Sequence, residues 1–393
     1  MNIKLNMYLT NALIVLILLL SNIIKKHVKW FQYFCIPKPV IGGFIYIICI
    51  SCLKRFQILD IQPDMTLNDC FMLLFYSSIG FKARISTLKK GSKKLIVFLG
   101  LSIVLALLQN IVGVGLAMLL NIDPLAGLAC GSISMTGGHG TSAAFASVLE
   151  DKGLYNAISI SLAAATFGLI SGSIIGGPIG KLLSKNVSNL SGTSESIHDY
   201  PHDNTNTFNK NNLFRAIYYM LITVAIGNII SAILEYMGFT FPASVGAMVA
   251  SALFVNTYES KGNDSIPHSE IEIIGELGLL FFLTLSMMSI KPWQLIDLAL
   301  PMLIILSCQV LLMVLFSVCV TYPIMGRDRM AAFIASRHCG FGLGAVPTAI
   351  ANMLSLEESL GNCPEAFIIV PLVGSLLINF FNSIIITLIV NLI

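Results

Sequence analysis

Charge is scarce in this sequence. Asp, Glu, Lys and Arg make up 11% of its 393 residues, 56% are hydrophobic, and mean hydropathy is +0.85. That balance excludes a water-soluble globular domain and leaves a polytopic membrane protein. Acids are missing where a proton carrier would need them. All 20 Asp and Glu fall in loops or in the first turns beside apolar runs, so no mid-span carboxylate is there to titrate. A metal centre is also lacking. The nine cysteines are scattered, and Cys49-x-x-Cys52 has no second Cys or His pair to complete it, so the thiols are expected to pack as small hydrophobes. No small-residue cleavage pattern follows the apolar core of Met1 to Ile24; Lys25, Lys26 and Lys29 come next, so this stretch is expected to be the first span rather than a signal peptide. A net charge of +3, with its basic residues in short loops, gives no surface for a nucleic acid.

What is present is a run of apolar segments at 8–24, 40–53, 69–83, 95–120, 124–149 and 155–180, and again at 212–235, 241–256, 272–290, 298–322, 330–353 and 366–393. Between the two sets lies a stretch rich in Ser, Asn, Thr, His and Asp. It reads as a polar linker at 184–211 between a first repeat, 1–183, and a second, 212–393. The halves match in order: Pro39-Val-Ile-Gly-Gly43 with Pro242-Ala-Ser-Val-Gly246, Leu74-Phe75 with Leu280-Phe281, and Gln109 with Gln309 in the fourth run of each.

Two runs cannot be ordinary spanning helices. Gly137-Gly-His-Gly-Thr141 interrupts the first, and Gly340, Gly342, Gly344 and Pro347 interrupt the second. Unwound backbone is tolerated at membrane depth only where it is buried in protein or lines a cavity, and paired broken segments point to a secondary transporter. If segments 124–149 and 330–353 dip in and return, 18 Lys and Arg fall on the inside and five outside, as the positive-inside rule demands. If all twelve runs cross, no bias survives. The dipping arrangement leaves about five crossings per half and makes the repeats inverted. The expected fold is therefore an all-α polytopic membrane protein of two inverted-topology repeats, each with a re-entrant or broken Gly-rich segment. Both termini would lie outside and the linker in the cytoplasm.

At depth the sequence offers neutral oxygens: Ser134, Thr136, Thr141, Ser142, Thr348, Asn352, Asn379, Asn382, Gln109 and Gln309. Such oxygens, with free carbonyls of broken helices, suit sodium as the coupling ion; Ser134, Gln109, Gln309, Asn379 and Asn382 are the candidate ligands. His139 and His338 keep a proton route open. Exposed N–H groups at half-helix N-termini favour an acidic substrate. Each small polar residue also has a plainer reading, since Ser, Thr and Gly in membrane helices permit close packing. Arg337 reads as a cytoplasmic-side anchor, with contact to a substrate carboxylate as its alternative.

Taken together, Gly137-Gly-His-Gly-Thr141, His338-Cys-Gly-Phe-Gly-Leu-Gly344, Pro347-Thr-Ala-Ile-Ala-Asn-Met353, Ile36-Pro-Lys-Pro-Val40 and Val370-Pro-Leu-Val-Gly374 resemble the glutamate:sodium symporter family of bacterial inner membranes. The resemblance covers nearly the whole chain apart from the linker. It implies a homodimeric carrier that takes up L-glutamate with sodium by an elevator-like motion. Carried over residue by residue, it implies a substrate site among Thr136, Gly137, Gly138, His139, Gly140, Thr141, Gly342, Gly344, Thr348 and Asn352. Val346 and Asn379 stand where the resemblance leads one to expect Thr and Asp. A citrate or malate carrier coupled to sodium is the nearest alternative. A more remote one is an intramembrane hydrolase using Ser134 or Ser142 with His139, although no buried acid is present to orient the histidine.

Overall fold

A computed structural model describes residues 2–34, 36–55, 60–85, 93–184, 210–238, 241–260, 266–290, 298–344 and 372–393. Most of the linker, the stretch after Gly344, and with it Val346, Thr348 and Asn352, lie outside the described residues.

The helices follow the apolar runs. In chain order they are α1 Met7–His27, α2 Lys38–Arg55, α3 Asn68–Lys82, α4 Lys93–Leu119, α5 Pro124–Leu128, α6 Gly138–Asp151 and α7 Ala157–Ser184. After the linker come α8 Lys210–Tyr236, α9 Ala243–Ser260, α10 His268–Met288, α11 Ala299–Phe316, α12 Arg329–Gly342 and α13 Ile378–Val390. Local chemistry fixes several ends. The Asn6 side chain accepts from Leu9 N at 2.9 Å and opens α1, while Lys25, Lys26 and His27 face the negative end of its dipole. At 1.5 Å per residue the 27 residues of α4 extend about 40 Å, more than the roughly 30 Å of hydrocarbon they would cross. Six helices among the described residues are long and apolar enough to span: α1, α4, α7, α8, α10 and α11 with its continuation to Ile324. Shorter apolar helices occupy Lys38–Leu53, Pro124–Ile133 and Ile378–Val390. A parallel pair of short strands, Asn2–Lys4 with Asp60–Gln62, ties the N-terminal residues to the α2–α3 connection.

The helices gather into two bundles, and each draws on both halves of the chain. In the first, α3 packs against α10 and α9, α8 against α9, and α2 against α1 and α10. In the second, α4, α5, α6, α7, α11, α12 and α13 enclose the broken segments. The same contacts recur in the two halves. A Cβ added to Gly42 of α2 would strike the Ser21 hydroxyl of α1, and one added to Gly246 of α9 would strike the Ser231 hydroxyl of α8. Gly43 of α2 receives the Met287 side chain of α10, as Gly80 of α3 receives the Met248 backbone of α9. These glycines let backbones approach closely, which supports helix association in lipid. Inside the first bundle, Ser77, Thr223 and Ser251 form a closed triangle of buried hydroxyls 2.9–3.2 Å apart.

Candidate functional site in the broken helices

Asp123 caps α5 by accepting from Leu125 N at 2.8 Å, with Pro124 at the first helical position, where its missing N–H costs nothing. The helix widens into a π turn at Ala129–Ile133, and Gly131, at φ −87° and ψ −141°, breaks it. The chain turns through 134–137, and α6 begins at Gly138, whose φ of +62° favours glycine. Ser142 of α6 donates to Ser134 Oγ at 3.0 Å, pairing the second leg with the first. The Ser134 hydroxyl itself lies 2.5 Å from Ala129 O and 2.8 Å from Ser161 O.

At its tip this segment meets the second one. A Cβ on Gly138 would collide with the carbonyl oxygen of Gly344, and one on Gly168 of α7 with that of Leu343. Gln109 braces the junction. Its Nε2 donates to Gly342 O at 2.7 Å, its Oε1 accepts from Thr136 Oγ1 at 2.6 Å, and its backbone oxygen accepts from Gln309 Nε2 at 2.7 Å. Thus Thr136, Gly138, Gly342, Gly344, Gln109 and Gln309, from opposite halves of the chain, share one locus. Gly137 packs on Thr141, and Gly140 faces the ring of Phe75 and the side chain of Leu279 from the first bundle. Buried Thr141 lies beside the hydroxyl of Tyr76 of α3, which also faces Ser383. Asn379 is half-buried in the first turn of α13. Both polar ends of the Gln109 amide are engaged, which makes it a brace between the segments. The Oε1 of Gln309 and the Oδ1 of Asn382 are buried without a hydrogen-bond partner among the described residues.

His139 Nε2 lies 3.1 Å from Thr166 Oγ1, and its neighbours Ser134 and Ser142 bond to each other and to backbone. No serine–histidine pair forms there, so the hydrolase reading loses its nucleophile and base. Arg337, read as a cytoplasmic-side anchor with substrate contact as the alternative, is fully buried in α12. His338, also buried, contacts Thr321 Oγ1 through Nδ1 at 2.9 Å and sits among Phe98, Phe316 and Phe341. Among the described residues no three His, Cys, Asp or Glu converge as metal ligands.

Four residues of this region escaped the reading of the sequence: Asn110, Ser132, Thr166 and Tyr76. Asn110 accepts from Ser132 N at 2.8 Å and Asn382 donates to Ser132 O at 3.0 Å. An asparagine directly after Gln109 in a run of apolar residues was a readable signal; Ser132, Thr166 and Tyr76 carried none. A 620 Å³ cavity opens between the two bundles beside α6, lined by Asp69, Met72, Ala144, Ser147, Asp151 and Glu235 among others. A 370 Å³ cavity shares Asp69, Met72 and Ser147 with it and adds Glu150.

A mostly helical chain with six candidate apolar spans among its described residues and a polar locus where helices break belongs to the class of multi-pass membrane transporters. Residues 3–362 match the family model for sodium/glutamate symporters. The chain is 36% identical over 383 residues to the sodium/glutamate symporter of Escherichia coli (strain K12), covering 95% of this chain and 94% of that one. It is 35% identical over 383 residues to the sodium/glutamate symporter of Haemophilus influenzae, covering 96% and 95%. The protein belongs to the sodium/glutamate symporter family, whose members are transporters and not enzymes. A solved sodium proton antiporter from Methanocaldococcus jannaschii shows a looser likeness, with 15% identity and a TM-score of 0.44 over 98% of this chain and 96% of that one.

Proposed function

We propose that the protein is a sodium-coupled symporter of a bacterial inner membrane that imports L-glutamate. The observation that carries this reading is the meeting of two glycine tips from opposite halves of the chain, Gly138 on Gly344, braced by Gln109. Such a junction of broken helices is where carriers place their substrate, with helix N-termini toward an anion and neutral oxygens toward sodium. The substrate site comprises Thr136 to Thr141 with Gly342 and Gly344, and Thr348 and Asn352 complete it. Gln309, Asn379 and Asn382 supply candidate oxygens for sodium; Ser134 and Gln109 shape the segment around them.

The repeats are inverted in topology, with segments 124–149 and 330–353 re-entering from opposite faces. The paired contacts of Gly42 with Ser21 and Gly246 with Ser231 support this reading, as does the 18-to-five division of positive residues. Both termini face outward and the linker faces the cytoplasm. Transport proceeds by an elevator-type movement of the second bundle against the first. The two bundles meet across the acid-lined cavity, and the rings and methyls of Phe75 and Leu279 face the Cβ-free surface of Gly140. The carrier works as a homodimer. Sodium and substrate stabilise the same orientation, which is what couples them, because a ligand shifts an equilibrium only through differential affinity.

The test is counterflow and uptake in proteoliposomes under a sodium gradient against a panel of carboxylates. Labelled L-glutamate should accumulate with sodium and not with potassium, and unlabelled citrate and malate should not compete. Strong competition by citrate would replace glutamate by a di- or tricarboxylate. Thr348→Ala or Asn352→Ala should abolish sodium-dependent uptake while leaving the folded protein; uptake at the unmutated rate would remove those residues from the site.

A further inference from the structure

The backbone of Ser132 is held at both its N–H and its C=O by side-chain amides. Its N–H donates to Asn110 Oδ1 at 2.8 Å and its C=O accepts from Asn382 Nδ2 at 3.0 Å. The two amides come from helices far apart in the chain, α4 and α13. Their partners fix which end of each points away. Asn110 must present oxygen to an N–H and Asn382 must present nitrogen to a carbonyl, so neither amide is free to flip. The outward ends are therefore a donor on Asn110 and an acceptor on Asn382.

Those outward ends, Asn110 Nδ2 and Asn382 Oδ1, have no hydrogen-bond partner among the described residues, and neither does the hydroxyl of Ser132. Ser132 and Asn382 are fully buried and Asn110 is 1% exposed. Buried polar atoms are nearly always satisfied, and leaving one unmade costs about 1–3 kcal/mol. Three such atoms on residues joined by these two hydrogen bonds point to a ligand. The backbone at this point is also broken at Gly131, and a Cβ there would come within 2.7 Å of Asn110 Oδ1. Only glycine permits the approach.

We infer that Ser132 Oγ and Asn382 Oδ1 are ligands of a sodium ion, at the break in the first segment, with Asn110 as the residue that positions the Ser132 backbone. Both ligands are neutral, hard oxygens, the donor type a sodium ion accepts, and among the described residues no group of three His, Cys, Asp or Glu is gathered to favour a divalent or transition metal. The Nδ2 of Asn110 is a donor and repels a cation, so the ion lies on the Asn382 side of Ser132. Because α13 and the first segment belong to opposite halves of the chain, an ion held between them fastens the two halves of the second bundle. This assignment rests on the sodium-coupled reading above for its role in transport; sodium binding itself does not depend on which carboxylate is carried.

The experiment measures sodium binding apart from transport. Full-length protein in detergent is titrated with sodium chloride against choline chloride, and thermal unfolding is followed without any carboxylate. Wild type should gain stability with sodium. Ser132→Ala removes a hydroxyl that bonds to nothing described, so it should fold normally, yet the sodium concentration for half-maximal stabilisation should rise by about tenfold or more, as for loss of a group at a metal site. Asn382→Ala should do the same or lose the response. In proteoliposomes Ser132→Ala should raise the sodium requirement of uptake by a similar factor, with glutamate affinity at saturating sodium unchanged. A sodium response in Ser132→Ala within twofold of wild type overturns the assignment. If wild type binds sodium and Ser132→Ala does not, while glutamate is not carried, the site stands and the substrate reading falls.

Discussion

Gln109 joins the two broken segments through a single side chain, and its removal is the sharpest test of that junction. In Gln109→Leu the carbonyl of Gly342 loses a 2.7 Å donor and the hydroxyl of Thr136 a 2.6 Å acceptor, both in buried surroundings. Each group left unmade costs about 1–3 kcal/mol, so the substitution should destabilise the junction by about 2–6 kcal/mol. Gln309→Leu breaks only the 2.7 Å bond to the backbone oxygen of Gln109, leaves one group unmade, and should cost about half as much. Gln109→Glu separates the two bonds. Its carboxylate still accepts from Thr136 but faces the Gly342 carbonyl with an oxygen, and only the protonated acid can donate there. Uptake by this variant should therefore be weak at neutral pH and recover as pH falls, the reverse of a simple loss of stability. Thermal unfolding of the purified protein ranks the three variants, and sodium-driven uptake across pH checks the donor. Wild-type unfolding in Gln109→Leu, or a larger loss in Gln309→Leu, would refute the bracing role.

Gly138→Ala should impair uptake more than Gly153→Ala, although both have positive φ: only at Gly138 does a Cβ meet the opposing segment, through Gly344 O, while Gly153 faces open space. Adding a left-handed alanine alone costs roughly 1–2 kcal/mol, so comparable uptake in the two variants would separate the tips. Thr166→Val removes the hydroxyl that His139 Nε2 contacts at 3.1 Å, and should weaken substrate binding with little change in the sodium requirement; a change confined to sodium would place His139 at the ion instead. Neutralising Asp69, Asp151 and Glu235 together should raise the half-saturating sodium concentration at low ionic strength, an effect that should fade as added choline chloride screens the cavity. An unchanged salt profile would show that the cavity does not concentrate cations. Gly80→Leu should disrupt the first bundle, since even a Cβ would strike the backbone of Met248; normal yield and unfolding would refute the close approach.

Membrane residence, the approximate helix limits and an interruption in the segment 124–149 were legible in the sequence. Apolar length and glycine spacing report a single property of the chain: whether its own backbone can satisfy itself in a medium without water. The same holds for Gln109 and Gln309, since a lone amide in an apolar run must find a partner. What the amides bond to was not legible. Gln109, read as an ion ligand, spends both ends on Thr136 and Gly342, partners 27 and 233 residues away. Arg337, read as an anchor from its flanking position, is buried because α12 packs along α7, where Ser336 reaches Gly176 O at 2.7 Å.

The sequence by itself determined the solvent and the approximate extent of the apolar helices, because these depend on composition and local backbone preference; the break at Gly131 and the helix running through Gly340 to Gly342 were decided by the packing around them. Only the tertiary structure decided that helices from both halves interleave into two bundles, that the glycine tips touch, and that Asn110 and Asn382 grip the N–H and C=O of one residue, Ser132. Those outcomes depend on which surfaces meet across hundreds of residues, and a hydrogen bond carries no trace of its partner in the local sequence.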